Sequence, residues 1–286
     1  MNMQGRGGSG LHESFMRHAG FRWLKVALVL SIVATVAYWS IDVEPRPNGG
    51  SWYGYTLGTI STLLILWLTA LGIRKRAITR GAYSLKGWTS AHVYLGLSLI
   101  VLATLHSGFQ LGWNVHTLAY VLMMIVIASG IFGVIAYLRL PEAMSVNRGE
   151  VTQPQMLINI RALDRQIHDA AQSLDHVHSE IARQSLENSP LGGSLVGRLK
   201  GDRRTCGNGA ARHALLAARK QAGGAGDPAL TQLLALLDRK ADALAQARRH
   251  GRFKALLEIW LYVHVPLTFA LLAALTAHIV SVFFYW

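Results

Sequence analysis

The stretch HVYLGLSLIVLATLH, residues 92–106, sets a histidine at each end of an apolar run, and HVPLTFALLAALTAH, residues 264–278, repeats that spacing. Imidazole ligates iron, copper and zinc and carries protons near neutral pH. In an apolar segment it is costly unless it has a partner. Fourteen residues of helix rise about 21 Å, and at about 100° per residue the two imidazoles of each run lie about 40° apart. Each run thus presents two ligands on nearly one face, at two depths. A lone histidine of this kind would as readily hydrogen-bond a neighbouring helix. Two pairs on one spacing point instead to two sites, His92 with His264 and His106 with His278. Zinc and copper sites usually recruit more than two protein ligands, whereas a haem iron takes four nitrogens from its porphyrin and needs only two axial imidazoles.

The elements that position these histidines follow from composition. The chain has 286 residues, 51% hydrophobic and 15% charged, too apolar for an ordinary soluble domain of that size. Five segments, residues 21–41, 52–73, 88–111, 115–138 and 255–286, are long and apolar enough to cross a bilayer as helices. The polar stretch 140–254 between the fourth and fifth is an extramembrane insertion, and residues 1–20 form a tail. With a single cysteine, Cys206, the sequence excludes an internal disulfide, a CxxCH attachment site for covalent haem and a cysteine-ligated iron–sulfur cluster.

Basic residues orient the spans, because short loops rich in Lys and Arg stay in the cytoplasm. Arg6, Arg17, Arg22 and Lys25 precede or open the first span, RKRAITRGAYSLK follows the second, and seventeen basic residues lie in the insertion, with Arg139 just before it. Only Arg46 falls on the other side. The tail and insertion are therefore expected in the cytoplasm and the C-terminus in the periplasm of a bacterial inner membrane. The first span is expected to be retained, with a signal peptide ending near Ala37 as the alternative. Spans three and five then run parallel, so His92 shares a depth with His264 near the inner surface and His106 with His278 near the outer.

On His92, His106, His264 and His278, the membrane portion resembles bacterial di-haem b-type cytochromes: the cytochrome b561 and ferric-reductase-like transmembrane groups and, in ligand spacing, the cytochrome b of respiratory bc complexes. The resemblance implies an all-α membrane protein whose spans two to five form a four-helix bundle around two non-covalent b haems, with the first span peripheral. It does not extend to the insertion of about 115 residues, and no dinucleotide-binding domain follows the last span, which counts against a self-sufficient ferric reductase.

Other residues add detail. Gly58, Gly96, Gly130 and Gly133 let backbones approach a flat macrocycle, or simply pack helices. Pro266 removes a backbone donor beside His264 and is expected to bend span five. His116, at the outer mouth of span four, and Glu258, the only acid in span five, are candidates for proton or quinone handling. His168, His176 and His178 read as solvated positions rather than a metal site. In the insertion, Ile160, Leu163, Ile167, Ala170, Leu174, Val177 and Ile181 form a coiled-coil stripe, and Leu230, Leu234, Leu237, Ala241 and Leu244 a second. A helical hairpin is predicted, running through ARRHGRFK into span five, with Arg198, Lys200, Arg203, Arg204 and Arg212 against Asp202 at a basic tip. No nucleic-acid module accompanies that charge.

The functional expectation is transmembrane electron transfer as the cytochrome b subunit of a redox complex. Its termini would be a cytoplasmic flavin or iron–sulfur protein, a periplasmic cytochrome, or quinone. The alternatives are a stand-alone quinol-oxidising or metal-reducing oxidoreductase and a haem-free membrane scaffold.

Overall fold

A computed structural model describes residues 15–42, 48–76, 84–145, 153–187, 191, 194–200, 206–221 and 227–284. Among them there are helices and turns and no strands. Five helices are long and apolar enough to cross a membrane, as a multi-pass membrane protein requires. They are α1 (His18–Ser40), α2 (Trp52–Arg76), α3 (Leu85–His106), α4 (Val115–Ser145) and α9 (Pro228–Phe284). Between α4 and α9 come α5 (Gln153–Ala171), α6 (His176–Glu187), α7 (Leu195–Lys200) and α8 (Gly207–Gln221). The chain divides into two compact units, residues 1–132 with 263–286, and residues 133–262.

Local chemistry sets the ends of the spans in the first unit. Ala19, Gly20 and Phe21 are left-handed, with φ of 49°, 62° and 61°, so the regular part of α1 starts after Phe21. The Tyr94 hydroxyl donates to the carbonyl of Met16 at 3.0 Å and ties this entry to α3. Helix α3 begins at a serine cap, where Ser84 Oγ accepts from the Gly87 amide at 3.1 Å. It stops at His106, five residues short of the predicted end, because Gly108 and Phe109 turn left-handed. Asn114 caps α4, its side chain accepting from the Thr117 amide at 3.0 Å.

All five spanning helices contribute to one core, through Ala27 of α1, Leu68 of α2, Ala91 and Leu95 of α3, Met123 of α4 and Leu271 of α9. Helix α1 packs along α3, and Tyr53 of α2 donates its hydroxyl to the Ala34 carbonyl at 2.5 Å. The first span is thus fastened to its neighbours, while Val29, Ile32, Val33 and Val36 stay exposed. Large apolar side chains stand exposed on the other four spans as well, among them Leu63, Leu85, Ile125 and Phe269. In water this pattern would be unstable; a hydrocarbon surround accounts for it.

The second unit differs from the predicted two-helix hairpin. The first stripe breaks after Ala171 in a turn, and Asp175 restarts the chain as α6 by accepting the His178 amide at 3.1 Å. Ile160, Leu163 and Ile167 are buried as expected, but Val177 is 65% exposed. Part of the Gly- and Arg-rich tip is itself helical, as α7 and α8. The core combines Leu163 and Ile167 of α5, Ala182 of α6, Leu215 of α8, and Leu233 and Leu237 of α9. Pro228 opens α9 behind the Asp227 cap, which accepts the Ala229 amide at 2.9 Å. From there α9 continues as one helix through ARRHGRFK and Pro266.

At the centre of this unit sits a buried cation. Lys240 is 0% exposed; its ammonium meets Asp164 Oδ1 at 2.7 Å and donates to the Ser185 carbonyl at 2.5 Å. Ser185 Oγ donates to Asn208 Oδ1 at 2.8 Å, and Asn208 Nδ2 donates to the Leu237 carbonyl at 3.0 Å. One polar chain thereby links α5, α6, α8 and α9. Charges this deep persist only when paired and hydrogen-bonded.

Candidate haem-ligand site

The helices place three of the four histidines in the same local chemistry. His92 Nδ1 lies 3.0 Å from the Leu68 carbonyl, and His106 Nδ1 lies 2.7 Å from the Gly54 carbonyl. A carbonyl only accepts, so each Nδ1 carries the proton and each Nε2 keeps its lone pair. His264 Nδ1 lies 2.7 Å from Ser129 Oγ, which is also 2.8 Å from the Val126 carbonyl. An Nδ1–H held by an acceptor, with Nε2 available, is the arrangement that orients a metal-binding histidine.

The two acceptors on α2, Gly54 and Leu68, are themselves fourteen residues apart, so the spacing of α3 is matched on the neighbouring antiparallel helix. Each is followed four residues later by a glycine, Gly58 and Gly72. At Gly58 the absence of a side chain is required: a Cβ there would come within 2.7 Å of His106 Cε1 and 3.0 Å of its Nδ1. A Cβ on Gly49 would lie 3.7 Å from Cε1 of the same ring. A Cβ on Gly130 of α4 would meet His264 Cε1 at an ordinary 3.7 Å, and one on Gly96 or Gly72 would meet nothing within 4 Å. Gly133 is tight for another reason, since a Cβ there would fall 2.3 Å from the Trp260 ring.

His106 and His278 come together, with ring centres 6.1 Å apart and planes at 67°. A metal–imidazole bond is about 2 Å and the nitrogen lies about 1.1 Å from its ring centre, so rings on opposite sides of one metal have centres about 6 Å apart. The observed separation fits that requirement. His116 is the third imidazole at this end, its ring centre 4.0 Å from that of His278. His278 Nδ1 is buried and has no hydrogen-bond partner among the described residues. No group of three or more His, Cys, Asp or Glu among the described residues has the arrangement of a metal centre built from protein ligands alone.

The remaining candidates are placed otherwise. Glu258 is engaged by Arg198, whose guanidinium donates to its carboxylate at 2.9 and 3.4 Å, both side chains being largely covered. This ion pair gives Glu258 a basic partner on α7. It also removes Arg198 from the predicted basic tip, and Arg212 is likewise paired with Asp238. The side chain of Lys200, and Asp202, Arg203 and Arg204, lie outside the described residues. His168 is near Gln172 at 3.2 Å, and His178 pairs with Asp175, whose carboxyl is held below its ordinary range chiefly by that hydrogen bond. Cys206 sits where α8 begins, and Arg248 Nη2 donates to its sulfur at 3.1 Å. Burial raises this thiol, but Arg248 and the amides of Gly209 and Asn208 outweigh burial and leave it below its ordinary range.

Ser129 and the α2 acceptors were not singled out by sequence. A signal existed for Ser129, the only polar side chain between residues 121 and 136. For Gly54 and Leu68 the signal was the repeat of fourteen shared by Gly58 and Gly72. Comparison with protein-family models, curated proteins and solved structures finds no match for this chain.

Proposed function

We propose that this chain is a di-haem membrane cytochrome that carries electrons between the two faces of a bilayer, with His106 and His278 as axial ligands of one b haem and His92 and His264 of the other. The observation that carries the reading is the 6.1 Å separation of the His106 and His278 rings, supported by the oxygens of Leu68, Gly54 and Ser129 that lie within hydrogen-bond distance of Nδ1 on His92, His106 and His264. Bound haem supplies a one-electron iron couple. The chain's part is to orient the imidazoles through the oxygens set against Nδ1 of His92, His106 and His264, to exclude water with apolar helices, and to set the two ligand pairs about 21 Å apart along the helix axis.

On the same reading spans two to five hold the cofactors, and the positive-inside distribution favours a cytoplasmic location for residues 140–254 at a bacterial inner membrane. Electrons would be exchanged with a separate cytoplasmic flavin or iron–sulfur protein at the His92 and His264 end. A periplasmic cytochrome or the quinone pool would serve the other end. His116, beside His278, is the residue best placed to handle a proton or quinone there.

A visible spectrum of the purified chain tests the proposal directly. Sharp reduced α-bands of b type, low-spin iron and two haems per chain are expected. His92→Ala or His264→Ala should remove one haem, and His106→Ala or His278→Ala the other. A colourless protein after expression with ample haem supply would refute the reading in favour of a haem-free scaffold.

A further inference from the structure

We infer that Ser129 is a positioning residue for the inner site, one that sets the tautomer and donor strength of His264 and thereby the reduction potential of the haem it ligates. The inference rests on the di-haem reading and assigns a role within it. Residues 121–136 of α4 are apolar except for Ser129, and a hydroxyl in hydrocarbon is retained at a cost unless it is bonded. Its geometry shows how it is used. Ser129 Oγ lies 2.8 Å from the Val126 carbonyl and 2.7 Å from His264 Nδ1. With His264 bound to iron through Nε2, as the di-haem reading has it, Nδ1 carries the proton and donates to Ser129 Oγ, whose own proton is then directed to the Val126 carbonyl.

The four ligands differ in what holds Nδ1. His92 and His106 use backbone carbonyls of α2, which no side-chain substitution deletes. At His264 the oxygen against Nδ1 belongs to a side chain, Ser129. An acceptor on Nδ1–H makes the imidazole a stronger donor and stabilises the oxidised iron, lowering the potential. Ser129 is therefore the place where one mutation alters the inner site and spares the outer.

The test is a potentiometric titration of the full-length protein in detergent, with low-temperature EPR of the oxidised haems, comparing wild type, Ser129→Ala and Ser129→Thr. The inner component is identified by its loss from His92→Ala. Deleting the acceptor should raise the reduction equilibrium constant of that component about tenfold, a shift of about 59 mV for a one-electron couple. Its low-spin g values should move with it, and the outer component should stay in place. Threonine keeps the hydroxyl and can also bond the preceding turn, so Ser129→Thr should titrate as wild type. Loss of the inner haem from Ser129→Ala with retention in Ser129→Thr would support the same role. Two haems with unchanged potentials and g values in Ser129→Ala would overturn the inference, as would an equal shift in Ser129→Thr, which would point to packing. Wild-type protein without haem would instead sink the di-haem reading itself, so the two failures are distinguishable.

Discussion

Gly58→Ala adds one methyl group beside His106 and makes the sharpest demand on the site. The new Cβ would lie 2.7 Å from Cε1, 3.0 Å from Nδ1 and 3.3 Å from Nε2. Ordinary contact begins at 3.4 Å, so the closest approach must open by 3.4 − 2.7 = 0.7 Å. The ring has little freedom to move, because its Nδ1–H bond to Gly54 is already 2.7 Å and arises from the same helix. A shift of that size along the bond carries it beyond the usual hydrogen-bond range of about 2.7–3.2 Å. Overpacking costs about 1–3 kcal/mol and the lost bond about 0.5–1.5 kcal/mol, offset by about 1 kcal/mol of helix propensity. The net, about 1–3 kcal/mol, should weaken retention of the outer haem roughly 5- to 150-fold at about 1.4 kcal/mol per factor of ten. The assay is haem content per chain with a redox difference spectrum, run beside Gly96→Ala. The second variant meets nothing within 4 Å and should keep both haems. If Gly58→Ala retained two haems with wild-type spectra and potentials, the placement of His106 as a constrained ligand would be wrong.

Two further predictions concern the second unit. Lys240→Met leaves Asp164 without its cation. Because the Asp164 side chain is 32% exposed, the loss should be on the order of 2 kcal/mol, below the ~3–5 kcal/mol of a fully buried pair. Thermal unfolding of the full chain followed by circular dichroism reads it, and an unchanged melting profile would contradict the buried network. The Cys206 thiol lies below its ordinary range, so its thiolate forms at lower pH than in an unstructured peptide. Its alkylation rate should therefore rise through a lower pH window, and Arg248→Gln should move that window upward; coincident rate–pH profiles would show that Arg248 does not act on the thiol. In intact cells, a membrane-impermeant maleimide should reach Cys206 only after the inner membrane is opened, and labelling before that would invert the proposed topology.

Spans were legible in the sequence because the energetic requirement is one-dimensional: a helix crossing hydrocarbon needs about twenty apolar residues regardless of what it packs against. The spacing of His92, His106, His264 and His278 was legible for a related reason, since helical rise and twist turn a count of fourteen into a depth and a face. The ends were less so. Phe109 in a left-handed conformation stopped α3 where hydropathy alone carried the span to residue 111. In the insertion, a stripe from Ile160 to Ile181 read as one helix, yet Asp175 capped a new one, because a side chain accepting a backbone amide competes locally with continuation of the helix.

Tertiary structure decided what partners each polar group. Sequence grouped Gly58 with Gly96, and only the position of the His106 ring separates a glycine that must stay from one that can change. It read Glu258 as a candidate for proton or quinone handling and Arg198 as part of a basic tip, and the fold joins them across sixty residues. It could not show that Lys240, in a helix rich in exposed charge, would be fully buried on Asp164 and Ser185. The oxygens set against Nδ1 of His92, His106 and His264 belong to Leu68, Gly54 and Ser129, which lie 24, 52 and 135 residues away. Hydropathy and periodicity are properties of a segment and can be read along the chain. A hydrogen bond or an ion pair is a property of two atoms, and which two meet is settled only when the helices pack.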